Sequence, residues 1–440
     1  MSEGVAVEAP PRLDRVGLQR RAIRVLIGSQ VLGGVGMASG IAVGALLAED
    51  LSGTEALAGV GTTAQVLGTA LLTIPVARAT AVRGRRVGLR LGLGIAFVGA
   101  AVVLAAAVVR SFPLFVVGMF LFGGGTTANN QSRYAAADLA APARRGRDLS
   151  IVVWATTIGS VVGPNLVGPG TAVARALGLP ELAGTFVFAL AGFVLAWLVV
   201  QRLLRPDPLL TARALDAEVV EAARASAASS ASPVSEVPTS VPPDHDGSMR
   251  RGLAVLRANP GALRAVLVMA LGHLVMVSVM VMTPIHMKHG HAELQVIGFV
   301  ISVHILGMFA LSPLVGAAVD RWGGARVAVV GGVVLAVASV LAALSHAGWS
   351  PLLLVALFLL GVGWSCTLVS GSTMLTGAVQ TDERPAAQGL ADVLMGLAGA
   401  AGGVAAGLVV GGYGYGTLAA CSAFVGVAVV AAGALPLRRS

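Results

Sequence analysis

Methionine and histidine residues cluster between residues 269 and 308 of this 440-residue chain. Within the cluster, Met276 and Met280 form an M-x3-M motif, and His304 and Met308 form an H-x3-M motif. Thioether and imidazole groups are ligands that suit Cu(I), which hard oxygen ligands select poorly. The two motifs therefore predict a soft-metal site shared by two neighbouring helices.

Other residues of the cluster extend this interpretation. At 100° per residue, Met269 and His273 share one helix face with Met276 and Met280. Four further side chains between the two motifs are candidates for metal capture on the outer side: His286, Met287, His289 and His291. A packing role stays open, because methionine is a flexible core filler and a histidine can bind a neighbouring carbonyl or carry protons.

The elements that must position these residues are twelve apolar stretches of membrane-spanning length. The chain is 56% hydrophobic and 12% charged, with a mean hydropathy of +0.85, which indicates an all-α integral membrane protein of two six-helix halves. We predict spans near 25–47, 55–77, 88–109, 113–134, 150–173, 183–204, 262–284, 296–318, 326–346, 351–373, 387–410 and 415–435.

The domain organisation follows from this pattern. A tail over 1–24, without the pattern of a cleavable signal peptide, precedes the first half, 25–204. An Ala/Ser/Pro-rich cytoplasmic linker, 205–258, leads to the second half, 259–436, and a short tail, 437–440. The linker has too few large apolar residues to fold alone, although a short helix over 209–225 is one alternative.

Arginines mark one side of the predicted bundle. They precede the first span, follow the second and fourth, and close the chain, at Arg12, Arg15, Arg20, Arg21, Arg24, Arg83, Arg85, Arg86, Arg144, Arg145, Arg147, Arg438 and Arg439. The opposite loops carry only Arg110, Arg175 and Lys288. By the positive-inside rule, both termini are expected in the cytoplasm, with the chain in the cytoplasmic membrane.

An internal repeat with an offset of about 240 residues relates the two halves. In the second half, a G-x3-D-R-x-G-x2-R pattern joins spans eight and nine through Gly316, Asp320, Arg321, Gly323 and Arg326. This pattern resembles the signature loop of the major facilitator superfamily, whereas the first-half copy has Ala81 in place of the acid. We expect Asp320 to act as a gating latch that binds basic groups and helix N-termini of the other half.

Further residues resemble the same family. Span five carries Gly159, Gly163, Pro164 and Gly168, similar to the G-x3-G-P motif of facilitator antiporters, where small residues allow close helix packing and proline bends the helix. Gln30, Asn130, Asn165 and Trp364 are candidates for lining a cavity. Asp392, an acid inside a span, is a candidate proton relay or a helix-pairing residue.

Two further sets of charged residues lie near the ends of spans. Arg133 and Asp138 lie close to the inner surface, where both simple snorkelling and a functional role are open. Arg85 is counted with the topological arginines and also belongs to the first-half copy of the loop pattern.

Spans seven and eight resemble more than a general facilitator. Their M-x3-M and H-x3-M motifs are similar to those of CcoA-like bacterial copper importers. The resemblance implies that Met276, Met280, His304 and Met308 bind copper as transported substrate; His273 and the outer histidines are added from chemistry alone.

Other function classes find little support. The chain has no convincing nucleophile motif and no phosphate-binding glycine motif with lysine, so neither an enzyme nor an ATP-driven pump is expected. The net charge of +9 is spread between spans, which argues against nucleic-acid binding. We expect a monomeric secondary transporter without a cofactor that works by alternating access on Cu(I) or, alternatively, exports a small organic compound with protons.

Overall fold

The structure, a computed structural model, describes residues 15–54, 57, 59–229 and 249–434. Its longer regular elements in these ranges are α-helices, because only a helix closes the backbone hydrogen bonds of an apolar segment within the segment itself. The first half contains α1 (Arg15–Ser52), α2 (Val60–Arg83), α3 (Arg85–Val109), α4 (Phe112–Asp138), α5 (Arg145–Asn165), α6 (Val167–Leu177) and α7 (Gly184–Leu203).

Two helices, α8 (Pro208–Ser229) and α9 (Met249–Ala258), belong to the segment between the halves. The short helix considered for the linker is therefore present. The second half contains α10 (Pro260–His289), α11 (Leu294–Phe309), α12 (Ser312–Trp322), α13 (Gly324–Ala343), α14 (Pro351–Ala378) and α15 (Arg384–Ala434). The linker residues 230–248 and the tails 1–14 and 435–440 lie outside the described residues.

Twelve spans account for these helices within the described ranges. Ten segments are long and apolar enough to cross a bilayer, and α5 with α6 forms another that bends by 60°. The 51 residues of α15 would extend about 77 Å as one rod, more than twice a bilayer core, but its backbone breaks at Gly414, where φ is 83°. This break separates spans eleven and twelve.

The sequence prediction of a twelve-helix membrane fold is confirmed. Two spans differ from it in detail. Span five was expected as one helix over 150–173, but it bends where Pro164 interrupts the helical hydrogen bonding. Span eight is divided into α11 and α12 at the residues between Phe309 and Ser312.

Each half has its own apolar core. In the first half, Phe122 of α4 packs edge-on against Phe186 and Phe193 of α7, with ring centroids 5.8 and 5.3 Å apart. In the second half, Leu335 of α13 and Leu360 of α14 are completely buried in one cluster. A smaller third cluster contains residues of both halves, from α4 and α5 and from α12, α13 and α14.

The halves meet along α2 with α15 and along α5 with α12. A Cβ placed on Gly389 of α15 would lie 2.6 Å from Cβ of Ala77 in α2, and one on Gly146 of α5 would lie 2.8 Å from the carbonyl oxygen of Gly316 in α12. The internal repeat therefore recurs in the tertiary structure as two equivalent close crossings. Both lie at the end of the bundle where α1, α3, α5 and α15 begin with arginine, which we call the arginine-rich end.

Candidate functional site

A buried ion pair joins the halves near the arginine-rich end. Arg133 Nη2 of α4 lies 2.5 Å from Asp392 Oδ1 of α15, and the two side chains are only 4% and 2% exposed. Gln131 Nε2 donates to the other carboxylate oxygen at 3.1 Å, and the Tyr134 hydroxyl donates to Oδ1 at 3.3 Å. Asn130 Oδ1 accepts from Arg133 Nη1 at 3.0 Å. Three residues of α4 thus converge on a single carboxylate of the other half.

A second buried cluster lies beside the first. The completely buried Arg85 of α3 donates from Nε to Asp138 Oδ2 at 2.7 Å and from Nη1 to Gln131 Oε1 at 2.9 Å. Its Nη2 donates across the interface to Gln388 Oε1 of α15 at 2.5 Å. Arg384 Nη1, also of α15, lies 3.7 Å from Asp138 Oδ1. Gln131 contacts both clusters, so they form one network.

The network decides against snorkelling, one of the two interpretations left open for Arg133 and Asp138. Both residues lie in buried ion pairs at the interface. Arg85, which the sequence assigned to the topological arginines, is fully buried. The local sequence around an arginine does not show whether its side chain is exposed or buried. For Arg85, the packing of α3 against α4 decides this.

Asp320 caps a helix of the opposite half. Its Oδ1 accepts from Gly146 N at 2.7 Å and its Oδ2 from Arg147 N at 2.8 Å, at the start of α5. A carboxylate there complements the unpaired N–H groups and the positive end of the helix dipole. This is the geometry that a latch requires, while the gating role itself stays a prediction.

The other residues of the signature loop have separate positions. Gly316 lies against Ser150 Oγ, where a side chain would clash. Gly323 has a φ of 86°, which favours glycine. Arg321 and Arg326 are exposed, and neither has an ion pair with another described residue.

The corresponding contact of the first half is made differently, because Ala81 stands where the second half has its acid. Arg213 of α8 donates from Nη1 to the carbonyl oxygen of Ala81 at 2.8 Å and from Nη2 to that of Asp382 at 3.4 Å. On the same helix, Asp216 Oδ2 accepts from Thr381 Oγ1 at 2.5 Å. The linker helix α8 therefore bridges the end of α2 and the loop before α15.

Asp207, just before α8, fixes this helix to the first half. Its carboxylate accepts from Arg85 N at 3.2 Å, Arg86 N at 2.7 Å and Leu209 N at 3.0 Å, at the starts of α3 and α8. A carboxylate placed between two helix starts stabilises both. Sequence reasoning missed Asp207 and Arg213, although an acid directly before a predicted helix is a recognisable N-cap signal.

The four predicted copper ligands lie on two helices that both pack on α14. Met276 is 6% exposed in the apolar core of the second half, and Met280 and Met308 pack against the same core. Besides α14, α10 packs against α15 and α11 against α5. The metal site stays a prediction, because the methionines sit in a packing environment that would also suit core residues.

The two membrane histidines carry their hydrogens on opposite nitrogens. His304 Nδ1 lies 2.8 Å from the carbonyl oxygen of Leu357; a carbonyl only accepts, so Nδ1 bears the hydrogen and Nε2 keeps its lone pair. His273 Nδ1 instead accepts from Trp364 Nε1 at 2.9 Å, so Nε2 of the neutral ring bears the hydrogen. His304 therefore offers a lone pair and His273 a donor.

The lone pair of His304 is unused within the described part of the chain. The side chain is completely buried, and Nε2 has no hydrogen-bond partner there. An unpaired buried polar atom is costly. A bound ligand would remove this cost.

The proposed outer capture residues do not form a common cluster. Met287 is completely buried, and the His286 ring stacks on Tyr415 with centroids 4.1 Å apart. His289 and His291 are exposed. Among the described residues, no group of three or more His, Cys, Asp or Glu side chains could hold a metal ion.

The remaining candidates have structural partners. Gln30 donates to Asn129 Oδ1 and to Thr156 Oγ1, the latter at 3.0 Å, which joins α1, α4 and α5. Asn165 is exposed and donates to the carbonyl oxygen of Val161 at 2.6 Å within its own helix. Asn130 contacts the Arg133 guanidinium at the interface.

The antiporter-like motif of span five packs on α1. A Cβ on Gly159 would lie 2.7 Å from Gly34 Cα, and one on Gly163 would lie 2.7 Å from Ser39 N. Pro164 falls at the 60° bend. Gly168, by contrast, has no described atom within 4 Å of an added Cβ.

Asp392→Asn should destabilise the protein strongly, because it leaves the Arg133 charge buried without a counter-ion, at a cost of about 3–5 kcal/mol. Thermal unfolding of the purified protein in detergent measures the loss. The double variant Arg133→Met/Asp392→Leu should regain stability, since apolar residues of similar size replace a buried pair well. Equal unfolding temperatures for Asp392→Asn and wild type would contradict the contact.

Arg213→Gln should loosen the arginine-rich end by removing two bonds to backbone carbonyls. Hydrogen–deuterium exchange should then be faster at the end of α2 and the start of α15. Arg202→Gln is the matched control, since Arg202 is exposed at the same end. The bridging role is rejected if both variants exchange alike.

Comparisons with known proteins fit this architecture. The sequence matches the Major Facilitator Superfamily over residues 25–293 and 265–440. It is 37% identical over 398 residues to the uncharacterized MFS-type transporter YdeG of Bacillus subtilis. This alignment covers 90% of this chain and 87% of YdeG. It is also 29% identical over 387 residues to the riboflavin transporter RfnT of Brucella anthropi, covering 86% of this chain and 85% of that one.

A solved structure shows the same fold. The proton:xylose symporter XylE, crystallised with 6-bromo-6-deoxy-D-glucose, superposes with a TM-score of 0.72 at 15% identity, covering 95% of each chain. At that identity, the likeness concerns the fold alone. The twelve spans in two halves, the match along both halves and these relatives lead to one conclusion: the chain belongs to the Major Facilitator Superfamily and is a membrane transporter, not an enzyme.

Proposed function

We propose that this transporter moves a small, neutral, hydrogen-bonding organic solute by alternating access. The observation that carries the proposal is the polar network of Arg133, Asp392, Arg85 and Gln388, which closes the interface at the arginine-rich end. Rocking of the halves must break and remake this network. A site between the halves is then reached from one side at a time.

The chemistry beside the network favours a solute without net charge, because the charges of the network are engaged with one another. Arg133 pairs with Asp392, and Asp138 pairs with both Arg85 and Arg384. Because Trp364 donates to His273 Nδ1, the hydrogen of the neutral His273 ring is on Nε2, which can donate to a solute. The Trp364 ring packs edge-on against Phe309, with ring centroids 5.6 Å apart, and provides an aromatic surface. A planar solute with ring carbonyl groups meets both features, and the similarity to RfnT makes riboflavin the first compound to test.

Asp392 is the group we assign to proton coupling. Protonation would remove its charge and weaken the pair with Arg133, and so would favour opening of the arginine-rich end. The excess of arginines orients that end toward the cytoplasm, with both termini inside and the chain in the cytoplasmic membrane.

Proteoliposomes containing the purified protein should take up or release riboflavin faster than empty liposomes, and an imposed pH gradient should change the rate. The paired variant Arg133→Met/Asp392→Leu should abolish the response to the gradient, because it removes the titrating acid while keeping the packing. A matched Arg202→Gln variant, altered in an exposed arginine outside the signature loop, should respond like wild type. Saturable riboflavin flux that ignores the gradient would reject proton coupling, and absence of riboflavin flux would reject riboflavin as the solute.

Cu(I) import is a second candidate, favoured by the unused lone pair of His304 Nε2. Met276, Met280 and Met308 are the thioether residues of the same pair of helices, and soft ligands of this kind select Cu(I). His273 does not fit as a ligand in its present arrangement, because its Nδ1 is occupied and its Nε2 carries the hydrogen.

Copper accumulation under reducing conditions separates the candidates. Cells expressing wild type at matched membrane levels should exceed the empty vector, and His304→Ala should remove the excess. His346→Ala serves as the control because His346 is exposed and distant in sequence from both motifs. Wild-type accumulation no higher than the vector would eliminate the copper candidate.

A further inference from the structure

An open groove runs along the outside of the first half between α3 and α4. Its volume is about 280 Å3, and its lining consists of Arg90, Leu91, Gly94, Ile95, Val98 and Leu121. Leu91 is 36% and Val98 49% exposed, on apolar helices whose outward side chains face lipid in a membrane. The groove is therefore a lipid-facing surface with one charged residue.

That residue, Arg90, has unused hydrogen-bonding capacity. Its Cζ lies 4.7 Å from the centre of the Trp197 ring of α7, a cation–π contact that uses none of the five N–H donors. Among the described residues, Nε is buried without a hydrogen-bond partner, and no acid forms an ion pair with this guanidinium. A cation within a membrane-spanning segment needs an acceptor, and in the described part of the chain the Trp197 ring is the contact that the protein provides.

The depth of Arg90 agrees with a lipid phosphate as the acceptor. At 1.5 Å per residue, Arg90 lies about 8 Å from the start of α3 and Val98 about 20 Å from it. The charged end of the groove is thus near the headgroup level, and the apolar remainder points toward the bilayer centre. A phospholipid has the same order of groups: a phosphate followed by an acyl chain.

The charges around the groove favour an anionic lipid. Four helices begin with arginine at this end. The nearby acids are engaged, since Asp138 pairs with Arg85 and Asp207 accepts backbone N–H groups of α3 and α8. A lipid headgroup without an amine has a net negative charge, which complements the excess of arginines at this end of the protein. We propose that this groove binds an anionic glycerophospholipid, with its phosphate on Arg90 and one acyl chain along Gly94.

The glycine offers a clean way to fill the groove. A Cβ on Gly94 meets no described atom within 4 Å, so Gly94→Leu should occupy the groove without disturbing the helix packing. Gly407 of α15 is also exposed and equally open. Gly407→Leu therefore makes the same change on another part of the surface.

The test is native mass spectrometry of the purified full-length protein with added phosphatidylglycerol, phosphatidylcholine or inorganic phosphate. Wild type should retain phosphatidylglycerol in preference to phosphatidylcholine. Arg90→Gln should weaken phosphatidylglycerol binding about tenfold or more, as expected for lost charge-assisted hydrogen bonds, and Gly94→Leu should weaken it similarly. Gly407→Leu and Arg175→Gln, which alters an exposed arginine at the opposite end, should bind like wild type.

Three results would overturn the proposal. Equal binding by Gly94→Leu and Gly407→Leu would show that the acyl chain does not use this groove. Equal retention of both lipids would remove the anionic preference. Displacement of phosphatidylglycerol by inorganic phosphate at similar concentration would identify a simple ion site. If Arg90→Gln fails to fold, the comparison of the two glycine variants still decides the matter.

Discussion

Charges buried between the two halves constrain this transporter more than any other interaction. Arg133 and Asp392, like Arg85 and Asp138, are buried, and an unpaired charge is very costly there. Each charge must therefore keep a partner in every state that the protein visits. Arg133 contacts Asp392, and Arg85 contacts Gln388, across the interface between the halves. The two halves can therefore separate at the arginine-rich end only when water, a proton or a solute replaces these contacts.

The two close crossings of the internal repeat are stabilised by different means. At α5 and α12, Asp320 caps a helix start directly. At α2 and α15, Ala81 cannot do so, and Arg213 of the linker helix binds carbonyl groups on both sides instead. The linker is thereby part of the closed interface as well as a connection, and the pseudo-symmetric halves are unequal in how they are held.

The histidines show how a single hydrogen bond decides chemical capability. A carbonyl partner leaves His304 Nε2 with a lone pair, whereas an indole partner leaves His273 Nε2 with a hydrogen. In the sequence, both are histidines at helical spacing from methionines, and the pattern predicts the same role for both. Their hydrogen-bond partners make the difference: Leu357 for His304 and Trp364 for His273. Both partners belong to α14 and lie more than 50 residues further along the chain than either histidine.

Composition and periodicity alone determined the membrane class, the twelve spans and the division into halves, because these depend on local hydrophobicity and spacing. The loop that contains Asp320 was identified by its resemblance to a family motif. The bend at Pro164 and the break at Gly414 modify single spans without changing that plan. Only the tertiary structure decided that Arg85 is buried, that Arg133 pairs with Asp392 and that Asp207 and Arg213 fix the linker helix. Such contacts join residues from about 50 to 300 positions apart, and no local pattern specifies which distant partner neutralises a given charge.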